Sequence, residues 1–117
     1  MPSGRPLLPW GLARVRGKSM EPTLVDGDLV VVRWGGVPRP GRLVAVDLPD
    51  GPAGPRPMAV KRLTGPDPHD PARWWVERDN PVEGVDSWTV GGLAPQAIRG
   101  IVVFRLPRWP RSVRPGT

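Results

Sequence analysis

Residues 17–32 read GKSMEPTLVDGDLVVV, a serine set before a proline-broken turn that runs on into an aliphatic strand. Pro22 withholds a backbone N–H, so neither helix nor strand runs through the turn. Asp26, Gly27 and Asp28 are a turn signal, and residues 29–33 then suit a strand. The same alternation of breaker and apolar run recurs as LVAV, MAV, WWV and IVVF. The 117-residue chain holds 18 prolines and 15 glycines, a content that alone suits disorder. Their bunching between apolar runs argues for short strands joined by turns.

The spacing predicts strands over 12–16, 29–33, 43–48, 58–63, 73–78 and 99–106, with seven or so in all. Residues 64–72, TGPDPHDPA, read as a loop. Residues 79–87, DNPVEGVDS, are too polar for a core and read as a surface loop folded on its own Asx and serine hydrogen bonds. A single helical turn is expected over 94–97. The expected fold class is mainly β, a small twisted antiparallel architecture with little helix. One domain is expected over 1–117, with 1–9 and 107–117 as flexible tails.

Cysteine is absent, which excludes disulfides, thiolate catalysis and cysteine zinc sites. The one histidine, His69, lies in a stretch with the composition of a solvated loop. A metal site there would have to be built from His69, Asp67 and Asp70, against the three well-placed ligands that catalytic zinc needs. No metal or other cofactor is expected. A net charge of +6 raises nucleic acid as a partner, but the basic residues are scattered and no aromatic–glycine motif accompanies them. No nucleic-acid partner is expected. No run approaches the roughly 18–20 apolar residues of a membrane span. The N-terminus is too polar and proline-broken for a secretory signal. The chain is expected to be soluble and cytoplasmic, with Leu7, Leu8 and Trp10 as its means of peripheral membrane contact.

A serine needs a base. The chain writes arginine fifteen times and lysine twice, at Lys18 and Lys61. Arginine keeps its proton in a protein, whereas a buried lysine can lose it. Lys18 adjoins Ser19, and neighbours in extended chain face opposite ways. Lys61 lies in PMAVKRLTG, where period two puts Ala59, Lys61 and Leu63 on one face. Two readings follow: an amine whose pKa is lowered by apolar neighbours, or a surface lysine with its stem on apolar ground and its head in water.

SMEPTL with GDLVVV, then VKRL, then DNPVEGVDS resemble, in order and spacing, the type I signal peptidase family over residues 12–104. The resemblance implies Ser19 as nucleophile and Lys61 as general base, a serine–lysine variant of triad logic. It implies an oxyanion and substrate region around Gly17, Met20 and Pro22. It implies a supporting segment in Asp79, Asn80, Asp86 and Ser87. The sequence departs from the pattern in four places. Gly17 replaces a serine of the oxyanion hole, and Arg78 replaces the glycine of G-D-N. Gly84 replaces the serine that orients the lysine, and Trp88 replaces an arginine that pairs with the aspartate.

The length and the opening RPLLPWGLARVRGKSMEPTL are similar to a short soluble group of that superfamily, the nickel-type superoxide dismutase maturation proteases. That likeness implies a precursor protein as partner, cut in the cytoplasm to release an N-terminal leader. Three rivals stand beside it. Self-cleaving repressor and mutagenesis proteins share the dyad and VKRL, but the 18 residues before Ser19 are too few for their DNA-binding domain. A leader peptidase acting on secretory preproteins at the membrane is the second. A non-catalytic basic binding module is the third, and for it Ser19 and Lys61 would be dispensable.

Overall fold

Alternation at period two decides what each strand buries. The structure is a computed structural model and describes residues 9–108. Strands β1 (Trp10–Arg14), β2 (Leu29–Trp34), β3 (Leu43–Val46), β4 (Ala59–Asp67), β5 (Asp70–Glu77) and β6 (Ile98–Arg105) form one six-stranded sheet. Its order is β1-β2-β6-β3-β4-β5, and every neighbouring pair is antiparallel. Among the described residues helix is confined to one turn, α1 (Ser87–Val90), and a 3-10 turn at Pro95–Ala97, where the sequence predicts one. The fold is mainly antiparallel β.

Successive residues of a strand face opposite sides. In β3, Val44 and Val46 join Leu48, Leu63, Val76, Leu93 and Ile101, whereas Ala45 joins Val15, Met20, Leu24, Val30, Val32, Val60 and Val102. The sheet is therefore buried on both faces near its middle, at about 1.5–3 kcal/mol for each fully buried aliphatic side chain. Register shifts at Val31/Val32, Ala45/Val46 and Leu63/Gly65 interrupt the ladders. Such bulges bend a strand and raise its local twist.

Three expectations need correction. The described residues hold six strands rather than seven. The third strand stops at Val46, short of residue 48. The predicted 64–72 loop is mostly strand: β4 runs on to Asp67, β5 starts at Asp70, and Pro68 and His69 alone make the turn. Beyond Arg62, β4 has left its register with β3 and pairs with β5. No described strand pairs with that side of β4 there, so the donor that Pro66 lacks costs no ladder bond among the described residues. Asp67 Oδ1 accepts from His69 N at 2.8 Å and closes the turn. No group of three or more potential metal-ligating residues gathers there or elsewhere among the described residues. The tails expected at 1–9 and 107–117 lie almost wholly outside the described residues. Arg108, which is described, donates to both carboxylate oxygens of Asp28 at 2.8 Å.

Candidate active site

The Asp-Gly-Asp turn builds the base under Ser19. Val15 N donates to Asp28 O and Gly27 N donates to Val15 O, both at 2.7 Å, closing the neck of the 16–27 excursion. Asp26 Oδ1 accepts from Gly17 N at 2.7 Å, and Asp28 Oδ2 from Val25 N at 3.0 Å. Gly17 has φ +82°, a conformation glycine adopts without steric cost. Space around it is open, with no atom within 4 Å of a Cβ there. Met20 is 1% exposed and anchors the turn in the core. Pro22 follows a cis peptide bond and is exposed.

Lys61 arrives from β4. Its neighbours on the same face, Ala59 and Leu63, pack in one core cluster, and Lys61 itself is 3% exposed. The amine is thus inside the protein, not in water. Lys61 Nζ donates to Ser19 Oγ at 2.6 Å, joining residues 42 positions apart. Burial pushes the amine's pKa down from 10.5 to about 8; the Asp86 carboxylate opposes that shift and the Arg78 guanidinium assists it. An amine so placed is neutral in an appreciable fraction of molecules at ordinary pH and can take a proton.

Ser19 and Lys61 open onto a groove of about 340 Å³ whose floor includes Ala13, Val15, Met20, Ala45 and Val60. Edge strand β1 forms one side of it, and Pro57 to Lys61 the other. The hydroxyl therefore meets a groove beside a strand edge, a setting in which an extended peptide can add as a further strand.

Residues 9–82, more than half of the chain and inclusive of Ser19 and Lys61, match the family model of peptidase S24-like proteins. The chain belongs to the peptidase S24-like family. No curated protein matches it. Membership supports a serine-peptidase type of function. It does not reach the signal-peptidase or dismutase-maturation subdivision.

In this S24-like peptidase the expected supporting residues do gather, in two groups. Asn80 holds the serine turn: its N donates to Ser19 O and its Nδ2 to Lys18 O, each at 2.8 Å. Asp79 accepts from Thr23 Oγ1 at 2.6 Å, and its two oxygens take Arg62 Nε and Nη2 at 2.9 and 2.8 Å. The Arg62 guanidinium and the Thr23 hydroxyl hold its carboxyl below the usual range, against burial. Asp86 and Ser87, each 1% exposed, form the second group. Asp86 caps α1 through Trp88 N at 3.0 Å and accepts from Arg78 N at 3.0 Å. Ser87 Oγ accepts from Val76 N at 2.9 Å, tying α1 to β5. The predicted 79–87 surface loop is thus a surface loop only in its middle, residues 81–84. At its far end the polar side chains are buried because backbone donors satisfy them.

Two departures from the expected pattern explain each other. Arg78, in the place of a glycine, bonds Asn80 O at 2.7 Å, Pro81 O at 3.1 Å and Asp86 Oδ2 at 3.3 Å. It supplies the cation for Asp86 that Trp88 does not. Trp88 lies outside, edge-on to Trp75 with ring centres 5.3 Å apart, and donates to Glu77. Gly84 presses on Ser19: a Cβ there would overlap Ser19 Cβ and stand 3.0 Å from its Cα. No side chain fits at Gly84, so the orienting hydroxyl has no counterpart there. Arg62, Arg78 and Thr23 were missed by sequence reasoning. The replacement at Arg78 was a visible signal; among fifteen arginines, nothing local marked Arg62.

Proposed function

We propose that this chain is a serine endopeptidase in which Ser19 is the nucleophile and Lys61 the general base. The observation that carries the reading is the 2.6 Å contact between Lys61 Nζ and Ser19 Oγ at a buried amine lowered to about 8. Neutral Lys61 takes the hydroxyl proton as Oγ bonds to the scissile carbonyl carbon. The negative oxygen is stabilised by the Ser19 backbone N–H, which has no acceptor among the described residues. Collapse breaks the C–N bond, and the Lys61 ammonium returns its proton to the leaving amine. Lys61 then deprotonates a water that releases the acyl group and restores Ser19.

The substrate under this reading is an extended segment near the N-terminus of a cytoplasmic precursor protein. The resemblance of residues 5–24 supports the leader of a nickel-type superoxide dismutase as that segment. The open groove along β1 supports a substrate supplied as unfolded chain. The test is co-expression with the dismutase precursor, followed by N-terminal sequencing, for wild type and for Ser19→Ala. One Ser19-dependent cut at the leader boundary is the expected result. An uncut dismutase beside a processed secretory preprotein would replace the reading with a leader peptidase. A mass loss from the enzyme itself would replace it with self-cleavage. No cleavage of any chain would leave the non-catalytic binding module.

A further inference from the structure

The groove beside Ser19 is apolar on its floor and cationic on its rim. Arg14, Arg16 and Lys61 line it, and no aspartate or glutamate does. Five other arginines, Arg62, Arg73, Arg78, Arg99 and Arg108, each engage a carboxylate. Arg14 has one bond, to Gly27 O at 3.2 Å. Neither Arg14 nor Arg16 meets a carboxylate among the described residues.

Their placement is periodic. β1 is an edge strand, with β2 on one side and no described strand on the other. Along it and its continuation, Leu12, Arg14 and Arg16 are exposed, while Ala13 is half-buried and Val15 is buried. Residues two apart on a strand are separated by about 6.6 Å, so a strand added to β1 presents every second side chain to this row. The intervening side chains face the same way as Ala13 and Val15, toward the floor.

We propose that the groove selects extended protein segments carrying Asp or Glu at two positions spaced by two residues. Those carboxylates pair with Arg14 and Arg16, and small or apolar residues occupy the positions between. The proposal rests on the peptidase reading for its occupant, an unfolded stretch of a partner protein. Charge complementarity chooses among such stretches: two exposed guanidiniums that meet no carboxylate among the described residues attract carboxylates and repel basic segments.

The test is a positional-scanning peptide library, digested by wild type and by the Arg14→Gln/Arg16→Gln double variant and read by mass spectrometry. Peptide binding to Ser19→Ala protein is followed in parallel by fluorescence anisotropy. Wild type is expected to enrich acids at two positions spaced by two. The double variant is expected to lose about tenfold in kcat/KM on the preferred peptide, mostly through KM, with little change on an acid-free one. Ser19-dependent cleavage without acid preference, or a preference that survives in the double variant, overturns the proposal. If nothing is cut in a Ser19-dependent way, the peptidase reading falls. Arginine-dependent binding of the acidic peptides to Ser19→Ala protein then still upholds the groove's selectivity, and its absence overturns that too. An oligonucleotide that competes equally well would make the rim a general polyanion surface and overturn the proposal as well.

Discussion

At the scale of the residue, one proton decides the chemistry. Cleavage is expected to rise with pH as the Lys61 ammonium, lowered to about 8, gives up its proton. Lys61→Arg keeps a cation but cannot shed it, so the variant is expected to be inactive at every pH from 6 to about 10. A pH–rate series on both proteins checks this, and an active arginine variant would reduce Lys61 to a fixed charge. Gly84 is the other decisive residue. Gly84→Ser adds a Cβ against the Ser19 backbone and forces a side chain onto φ +122°. It is expected to cost about 2–3 kcal/mol in stability and most of the activity, rather than to supply an orienting hydroxyl. Thermal melts and rates of the variant decide it: a gain in rate would mean that residue 84 stands farther from Ser19.

At the scale of the element, the segment from β5 into α1 works as a clasp over the serine turn. Arg78 is its pin, bonded to Asn80 O, Pro81 O and the Asp86 carboxylate. It is a positioning residue, because it touches neither Ser19 Oγ nor Lys61 Nζ with a hydrogen bond. Arg78→Ala leaves buried Asp86 without its cation and removes a positive field from Lys61. The Lys61 pKa therefore rises, and the acid limb of the pH–rate profile is expected to move to higher pH. Arg78→Lys restores the charge without the bonds to the loop carbonyls and is expected to recover the pH limb more than the maximal rate. An unshifted limb in Arg78→Ala would make Arg78 merely structural.

At the scale of the whole molecule, the shifted groups set two pH windows for stability. Arg108 beside Asp28 and Arg62 beside Asp79 lower those carboxylates in the fold. Their contribution is complete above the unfolded value near 3.8 and is lost as pH falls through the lower folded values. Lys61 has the opposite consequence. Its folded pKa, about 8, lies below the 10.5 of the free side chain, so between these values the unfolded chain holds more protons and stability rises with pH. Lys61→Met removes a buried ammonium that costs on the order of 3 kcal/mol at pH 7. The variant is expected to melt higher than wild type at pH 7, with the gain shrinking from pH 8 toward 10.5. Melting curves across pH 3–10.5 measure both windows. A gain independent of pH would show that the folded amine keeps the pKa of the free side chain.

Local pattern marked the strands, the turns and the rare residue types. Alternation of proline- and glycine-rich turns with aliphatic runs specified an antiparallel β fold, since strand period and turn chemistry are local properties. Scarcity marked the two lysines, strand period favoured Lys61 over Lys18, and the resemblance of the SMEPTL and VKRL segments joined Lys61 to Ser19. Distance and burial came from long-range packing. VKRL serves equally well for a surface lysine. Packing of β4 between β3 and β5 takes the amine out of water, and closure of the 78–86 segment brings in Asp86 and Arg78. The carboxylate partners of Arg62 and Arg78 were equally illegible, since guanidinium pairing depends on strand register and loop closure. Burial of Asp86 and Ser87 was hidden for a related reason. A polar side chain enters a core when backbone donors meet it there, and those donors lie on β5 and α1, set in place only by the folded chain.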